Sequence, residues 1–330
     1  MQNPRPKITI GKKTAGVANK RATPEGILGR RLVSSEITDL FHQRAEVLKT
    51  RDPRYIRAIT IGQKGSGKSY AIVKTLPRPL LLFCFDPDAE RLVTPEEIEN
   101  GEVLPLLYYG DDPNNPHAYS QYEQDVERWK ANGFFDAFAS VAVDSLSTLQ
   151  QVHLRQIAFE DRALKTELKR FDKNIKVRQT LMPQLQDYNV LKTSSILGFM
   201  SLCSIPCHLV LTAHIQEERY FVNPQQTAIM IRQILNATPA LQSNIPPLFS
   251  EVYLSQKERG KVDAKGKRPP PEYVWLTDRT PKYSELPLTT RFNSQKTLVA
   301  EKEPQDFRAL LKKVNYLWKD KPFIQRSKED

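Results

Sequence analysis

Residues 62–69 read Gly62, Gln63, Lys64, Gly65, Ser66, Gly67, Lys68, Ser69, a complete match to G-x-x-x-x-G-K-[ST]. This octapeptide constrains the fold more than any other feature, because it works only as a turn between a strand and a helix. Both neighbours comply: YIRAITI (55–61) is β-branched and alternating, and SYAIVKTL (69–76) is helical in character. Glycines let the backbone curl so that successive N–H groups point inward, and the helix start adds its positive end. The loop therefore predicts a phosphate cradle made by residues 62–70, Tyr70 included. Lys68 is expected to reach the β and γ phosphates, and the Ser69 hydroxyl to face Mg²⁺.

The surrounding pattern supplies a sheet for the turn. PLLLFCF (79–85), LPLLYY (104–109), SVAVD (140–144) and CHLVLT (207–212) are short apolar runs of the kind found in strands covered on both faces. Helical segments separate them, one beginning near Thr94 and one spanning about 120–131. Alternation of this kind predicts an α/β fold with a largely parallel central sheet flanked by helices. Residues 145–206 form a long insertion expected to be mostly helical, and a further helical stretch is expected near 225–236. EVYLSQ (251–256) and EYVWLT (272–277) suggest an antiparallel hairpin at the sheet edge, joined by a basic loop, 257–271, expected to be mobile. The division that results is a flexible basic arm (1–33), a P-loop domain (34–292) opening with an amphipathic helix over 34–49, and a C-terminal helical tail (293–330).

A second anchor for a bound nucleotide is Asp144, at the C-terminal end of an apolar strand, where a carboxylate can hold Mg²⁺ opposite Ser69; it can also cap the next helix. Hydrolysis needs a group that orients or deprotonates water beside the γ phosphate. No Glu follows Asp144; an acidic cluster, Asp86, Asp88 and Glu90, lies just after the second strand. A polar residue at the tip of the 207–212 strand, Thr212 or His214, is placed to sense the γ phosphate. The spacing of Cys203, Cys207, His208 and His214 is not that of a zinc finger, and no zinc is expected.

Charge points to a polyanion. Lys and Arg number 49 against 38 Asp and Glu, a net +11. Eight basic residues against Glu25 alone fall within residues 1–31, and eight against four within both 155–178 and 257–282. Such clusters suit nonspecific phosphate contacts, which weaken steeply with salt. No apolar run is long enough to span a bilayer, and the N-terminus has neither a secretory signal nor the amphipathic period of a transit peptide. Three cysteines, an odd number in apolar or helical surroundings, suit a reducing compartment, the cytoplasm or a host's cytoplasm if the chain is viral.

ITIGQKGSGKSY, LLLFCFDPD, SVAVDSLSTLQ and HLVLTAHIQEE together resemble phage-type P-loop ATPases of the RecA-like/AAA superfamily, over roughly residues 55–292. The resemblance implies a RecA-like core, ATP with Mg²⁺, and action on DNA, single-stranded in the first instance, as a homo-oligomeric ring or filament. In such proteins the catalytic carboxylate follows the second strand, which makes Asp86 the first candidate and Glu90 the second, and a basic finger from a neighbouring subunit completes the site. Arg291, Arg279 and Lys282 are the candidates for that finger, with Arg291 preferred. Two departures stand out: Asp86 where the family commonly has Glu, and an enlarged insertion. The first, with the missing Glu after Asp144, keeps open a nucleotide-dependent switch or assembly module that hydrolyses poorly; the second, with the basic arm, sets the chain apart from a plain recombinase. A small-molecule kinase would need an Arg-rich lid, for which the sequence offers no clear segment.

Overall fold

The first strand of the chain's central sheet, β1 (Arg57–Gly62), is buried along its last five residues and ends at the first glycine of the octapeptide. The structure is a computed structural model. It describes residues 55–112, 116–160, 183, 185–220, 230–260, 269–292 and 299–323, with His42 and the two-residue strands 165–166 and 180–181. The arm, nearly all of the 34–49 helix, most of the basic stretch 155–178 and positions 261–268 of the basic loop lie outside the described residues.

Helix α1 (Lys68–Thr75) follows β1, then come β2 (Leu80–Cys84), α2 (Pro95–Glu99), β3 (Val103–Leu107), α3 (Ala118–Ala131) and β4 (Ser140–Asp144). The insertion contains α4 (Leu146–Glu160), a short ladder of β5 (Lys165–Thr166) with β6 (Thr180–Leu181), and α5 (Leu185–Leu202). The chain continues through β7 (His208–Tyr220), β8 (Met230–Leu235), α6 (Pro239–Asn244), β9 (Glu251–Glu258), β10 (Glu272–Leu276), β11 (Thr289–Thr290), β12 (Lys302–Pro304) and α7 (Phe307–Lys313). Local chemistry explains several boundaries. Thr94 and Glu97 form a reciprocal capping box that starts α2, with Pro95 at its first position. Asp306 caps α7 by accepting from the Ala309 N–H.

The main sheet has the order β12-β10-β9-β1-β7-β4-β2-β3, with β11 on β9 and β8 on β7. Pairings from β9 through β3 are parallel, and those of β12, β10, β11 and β8 are antiparallel. The protein is thus α/β, with a mostly parallel mixed sheet flanked by helices. β7 lies between β1 and β4, so it separates the strand that ends at the octapeptide from the one that ends at Asp144.

Period-two alternation divides the core. Ile59, Ile61, Leu81, Phe83, Val141, Val143, Leu209 and Leu211 face α3, α4 and α5. Ala58, Leu80, Leu82, Ala142 and Val210 face α1 and α7. Every residue of β2 is buried, which is why LLLFC shows no polar alternation. Among the described residues no helix is long and apolar enough to cross a membrane.

Three expectations are corrected. The stretch near 225–236 is not helical where described: residues 230–235 are a strand, because β7 runs on to Tyr220 and offers a ladder from Ile215↔Leu235 to Tyr220↔Met230. The 251–276 hairpin is not the edge, since β12 pairs with β10 outside it. Consequently the segment after 292 is not a separate helical tail. It supplies an edge strand, and the α7 residues Phe307, Leu310 and Leu311 join the core beneath α1.

Candidate functional site

The carboxyl ends of β1, β7, β4 and β2 meet at one edge of the sheet, where crevices of parallel α/β sheets bind ligands. Registers fix the alignment: Gly62 lies opposite His214, and Cys84 opposite Asp144. A cavity of about 1050 Å³ opens over this edge, lined by Lys64, Lys68, Ser69, Asp86, Asp144 and His214 among others.

The loop's glycines are structurally required. A Cβ on Gly62 would meet the Ser255 carbonyl oxygen and the Ser66 hydroxyl at 2.6 Å, so β9 packs against its bare backbone. Gly67 has φ +92°, and a Cβ there would strike Gln305 Oε1 at 2.6 Å and the Tyr273 ring at 2.7 Å. Lys68 is buried, and its ammonium donates to the carbonyls of Gly62 (3.0 Å) and Gln63 (2.9 Å). Burial lowers its pKa to about 8, against the opposing pull of Asp144 and Asp86.

Asp144 is almost fully buried. Burial raises its pKa, while hydrogen bonds from Thr212 and Ser69 and the charge of Lys68 act in the other direction. Its Oδ1 accepts from the Thr212 hydroxyl, whereas its buried Oδ2 has no hydrogen-bond partner. A buried carboxylate oxygen without a partner is costly unless a cation or donor completes it. Mg²⁺ bound through one carboxylate, one hydroxyl and phosphate oxygens fits Asp144 and Ser69. Among the described residues no group of three His, Cys, Asp or Glu could hold a metal ion.

Asp86 follows β2 and is the most heavily bonded acid in the site. Ser145 (2.8 Å) and Thr148 donate to its Oδ1, and His214 Nε2 donates to its Oδ2 (2.9 Å). Burial pushes its pKa up, but the bonds from His214, Thr148 and Ser145 outweigh this and hold it below the usual carboxylate range. Asp86 is therefore ionised at neutral pH, a weak base and a rigid acceptor that aims the His214 ring.

No protein-family model matches the chain, and no curated protein matches it either.

The structure brings Lys68, Ser69, Asp86, Asp144 and His214 together at this cavity. Lys64, Gly65, Gly67 and Tyr70 line the same cavity, while Gly62, Gln63 and Ser66 shape the loop behind it. Of the two sensor candidates, His214 reaches the cavity, whereas Thr212 is buried against Asp144. One expectation, Glu90 as the second candidate base, is not met. Glu90 does not line the cavity; its Oε1 accepts from the Tyr109 hydroxyl at 2.8 Å. Arg291 follows β11 and donates its N–H to Glu251, which pairs with Ala58 at the start of β1. Four strand steps, on the order of 13 Å, separate that end of the sheet from Gly62. Arg279 is exposed in the turn after β10 and also does not line the cavity.

Sequence reasoning missed one wall. Tyr273 of β10, Pro304 at the end of β12, and Gln305 and Asp306 just after it also line the cavity. Nothing in their local sequence marks them, because the β12-β10-β9 ladder carries them there.

Proposed function

We propose that this protein is a Mg²⁺-dependent ATP-binding and hydrolysing protein with a RecA-like core, acting on DNA in phage or viral replication, recombination or packaging. The observation that carries the reading is the convergence of Lys68, Ser69, Asp144 and the Asp86–His214 pair on one cavity at the carboxyl edge of the sheet. The strand order β1-β7-β4-β2 supports it too, since β7 carries His214 to a position between the phosphate loop and Asp86.

In this reading the phosphate chain lies along the loop N–H groups and the positive end of α1. Lys68, now held by two carbonyls, exchanges them for phosphate oxygens. Ser69 and Asp144 are the residues that would hold Mg²⁺, which would neutralise charge on the phosphates. Asp86 accepts from three neighbours and so keeps His214 oriented at the γ-phosphate end, where the pair positions the attacking water. Basic segments along the chain supply phosphate contacts to DNA, and assembly into a homo-oligomer places a basic finger, Arg291 the preferred one, against a neighbour's site.

One observation favours the second reading, a nucleotide-dependent switch. With three of its lone pairs engaged and its pKa lowered, Asp86 is poorly suited to take a proton from water. The test is steady-state ATP turnover at low salt with and without single-stranded DNA, using Lys68→Ala to define background. Stimulation by DNA supports the DNA-linked ATPase. Slow turnover that is indifferent to DNA and to Asp86→Ala supports the switch.

A further inference from the structure

The wall that closes the cavity behind the phosphate loop is built around Gln305. Its side-chain amide nitrogen donates to the Ser66 carbonyl at 3.0 Å and the Val274 carbonyl at 2.9 Å, with a longer contact to the Gln256 carbonyl at 3.4 Å. One side chain thus joins the tip of the loop to β9 and β10. Its Oε1 is buried without a hydrogen-bond partner and rests against Gly67 on the side where any other residue would carry Cβ. The same segment grips the far end of α1, where the Phe307 N–H donates to the Thr75 hydroxyl at 2.9 Å.

Peptide planarity gives this contact a consequence. Among the described residues the cis bonds are Arg78–Pro79 and Asp144–Ser145, so the Ser66–Gly67 peptide is trans. In a trans peptide the C=O and the following N–H point in opposite directions. Holding the Ser66 oxygen toward Gln305 therefore turns the Gly67 N–H away from Gln305 and into the loop. Gly67, at φ +92°, has access to many backbone conformations, and without an anchor this peptide could rotate and present its carbonyl to an anion.

We propose that Gln305 is a positioning residue of the phosphate site, fixing the Ser66–Gly67 peptide so that its N–H faces the bound phosphates. The inference rests on the nucleotide-binding reading above and adds that the β12 segment governs affinity for the phosphate chain rather than for the base. It assigns a positioning role to a residue 239 positions from its partner.

The experiment compares equilibrium binding of ATP and of inorganic tripolyphosphate to the full-length protein and to Gln305→Leu, Gln305→Glu and Gln305→Asn. Unfolding of each ligand-free variant is followed in parallel. Gln305→Leu and Gln305→Glu are expected to weaken ATP and tripolyphosphate by the same factor, roughly tenfold, the scale of one or two lost hydrogen bonds. Gln305→Asn, too short to span all the carbonyls, is expected to fall between. Should Gln305→Leu fail to fold, the Asn and Glu variants carry the comparison. Wild-type affinity in the folded variants overturns the proposal, as does a loss confined to ATP, which would make Gln305 a reader of the base. A wild-type protein that binds neither ligand overturns the nucleotide reading itself.

Discussion

Two buried histidines make the stability of this protein steeply acid-sensitive. His208 opens β7 with both ring nitrogens committed: Nδ1 accepts from the Ile56 N–H at 3.0 Å and Nε2 donates to the Leu317 carbonyl at 2.6 Å. A second proton would set one N–H against another. Burial, reinforced by the charges of Arg57 and Lys321, lowers its pKa to about 4, although the bond to Leu317 pulls upward. His153 on α4 stacks on Tyr119 with ring centroids 3.4 Å apart and meets Ser194 at 3.1 Å and Ser195 at 3.4 Å. Burial lowers it to about 3. In the unfolded chain both take a proton near pH 6.5. Between pH 6.5 and the folded values the unfolded state binds more protons, so stability falls as pH falls through that window. At pH 5 each histidine costs about 2 kcal/mol relative to neutral pH, about 4 kcal/mol together and a large part of the stability of an ordinary domain. Asp144 and Glu251, whose pKa values burial raises, act in the opposite direction, which is why the comparison must be made between variants. Urea unfolding at pH 7 and pH 5 of the wild type, His153→Gln and His208→Asn provides it. Each substitution is expected to remove about 2 kcal/mol of the pH-dependent loss, whatever it costs at pH 7. A variant that loses as much stability as the wild type between the two pH values refutes the reasoning for that histidine.

Other outcomes follow from the site. Asp86→Ala removes the acceptor that aims His214, and turnover is expected to fall about 100-fold with ATP affinity nearly unchanged, read by single-turnover kinetics and equilibrium binding. Gly67→Ala places a Cβ within 2.7 Å of both Gln305 and Tyr273 at a left-handed φ. It is expected to abolish ATP binding and to destabilise the fold by about 1–3 kcal/mol in denaturant titrations. Arg291→Ala, at the opposite end of the sheet, is expected to leave ATP affinity within about twofold of wild type while lowering turnover in the assembled state; a lost binding site would assign it a folding role instead.

The parts of the site that the sequence displays are those made by consecutive residues at strand ends. The octapeptide, Asp144 after SVAV, Asp86 after LLLFC and His214 after HLVLTA each sit where an apolar run stops, so parallel pairing alone brings them to one edge. What the sequence hides is long-range. Met230–Leu235 has apolar spacing compatible with a helix, and only the extension of β7 makes it a strand. Lys302–Pro304 is too short to signal a strand, yet pairing with β10 carries Gln305 to the phosphate loop. Glu90 and Asp86 are equally acidic in sequence, and the Tyr109 hydroxyl decides which one turns from the cavity.

The central claim is that Lys68 and its loop hold the phosphates of ATP. Equilibrium binding of ATP, with and without Mg²⁺, to the wild type and to Lys68→Ala tests it most directly. The account predicts one saturable site per chain, tighter with Mg²⁺, and weakened at least roughly tenfold by the substitution, the scale of a lost charge-assisted contact. Absence of binding, or binding indifferent to Lys68, would contradict it.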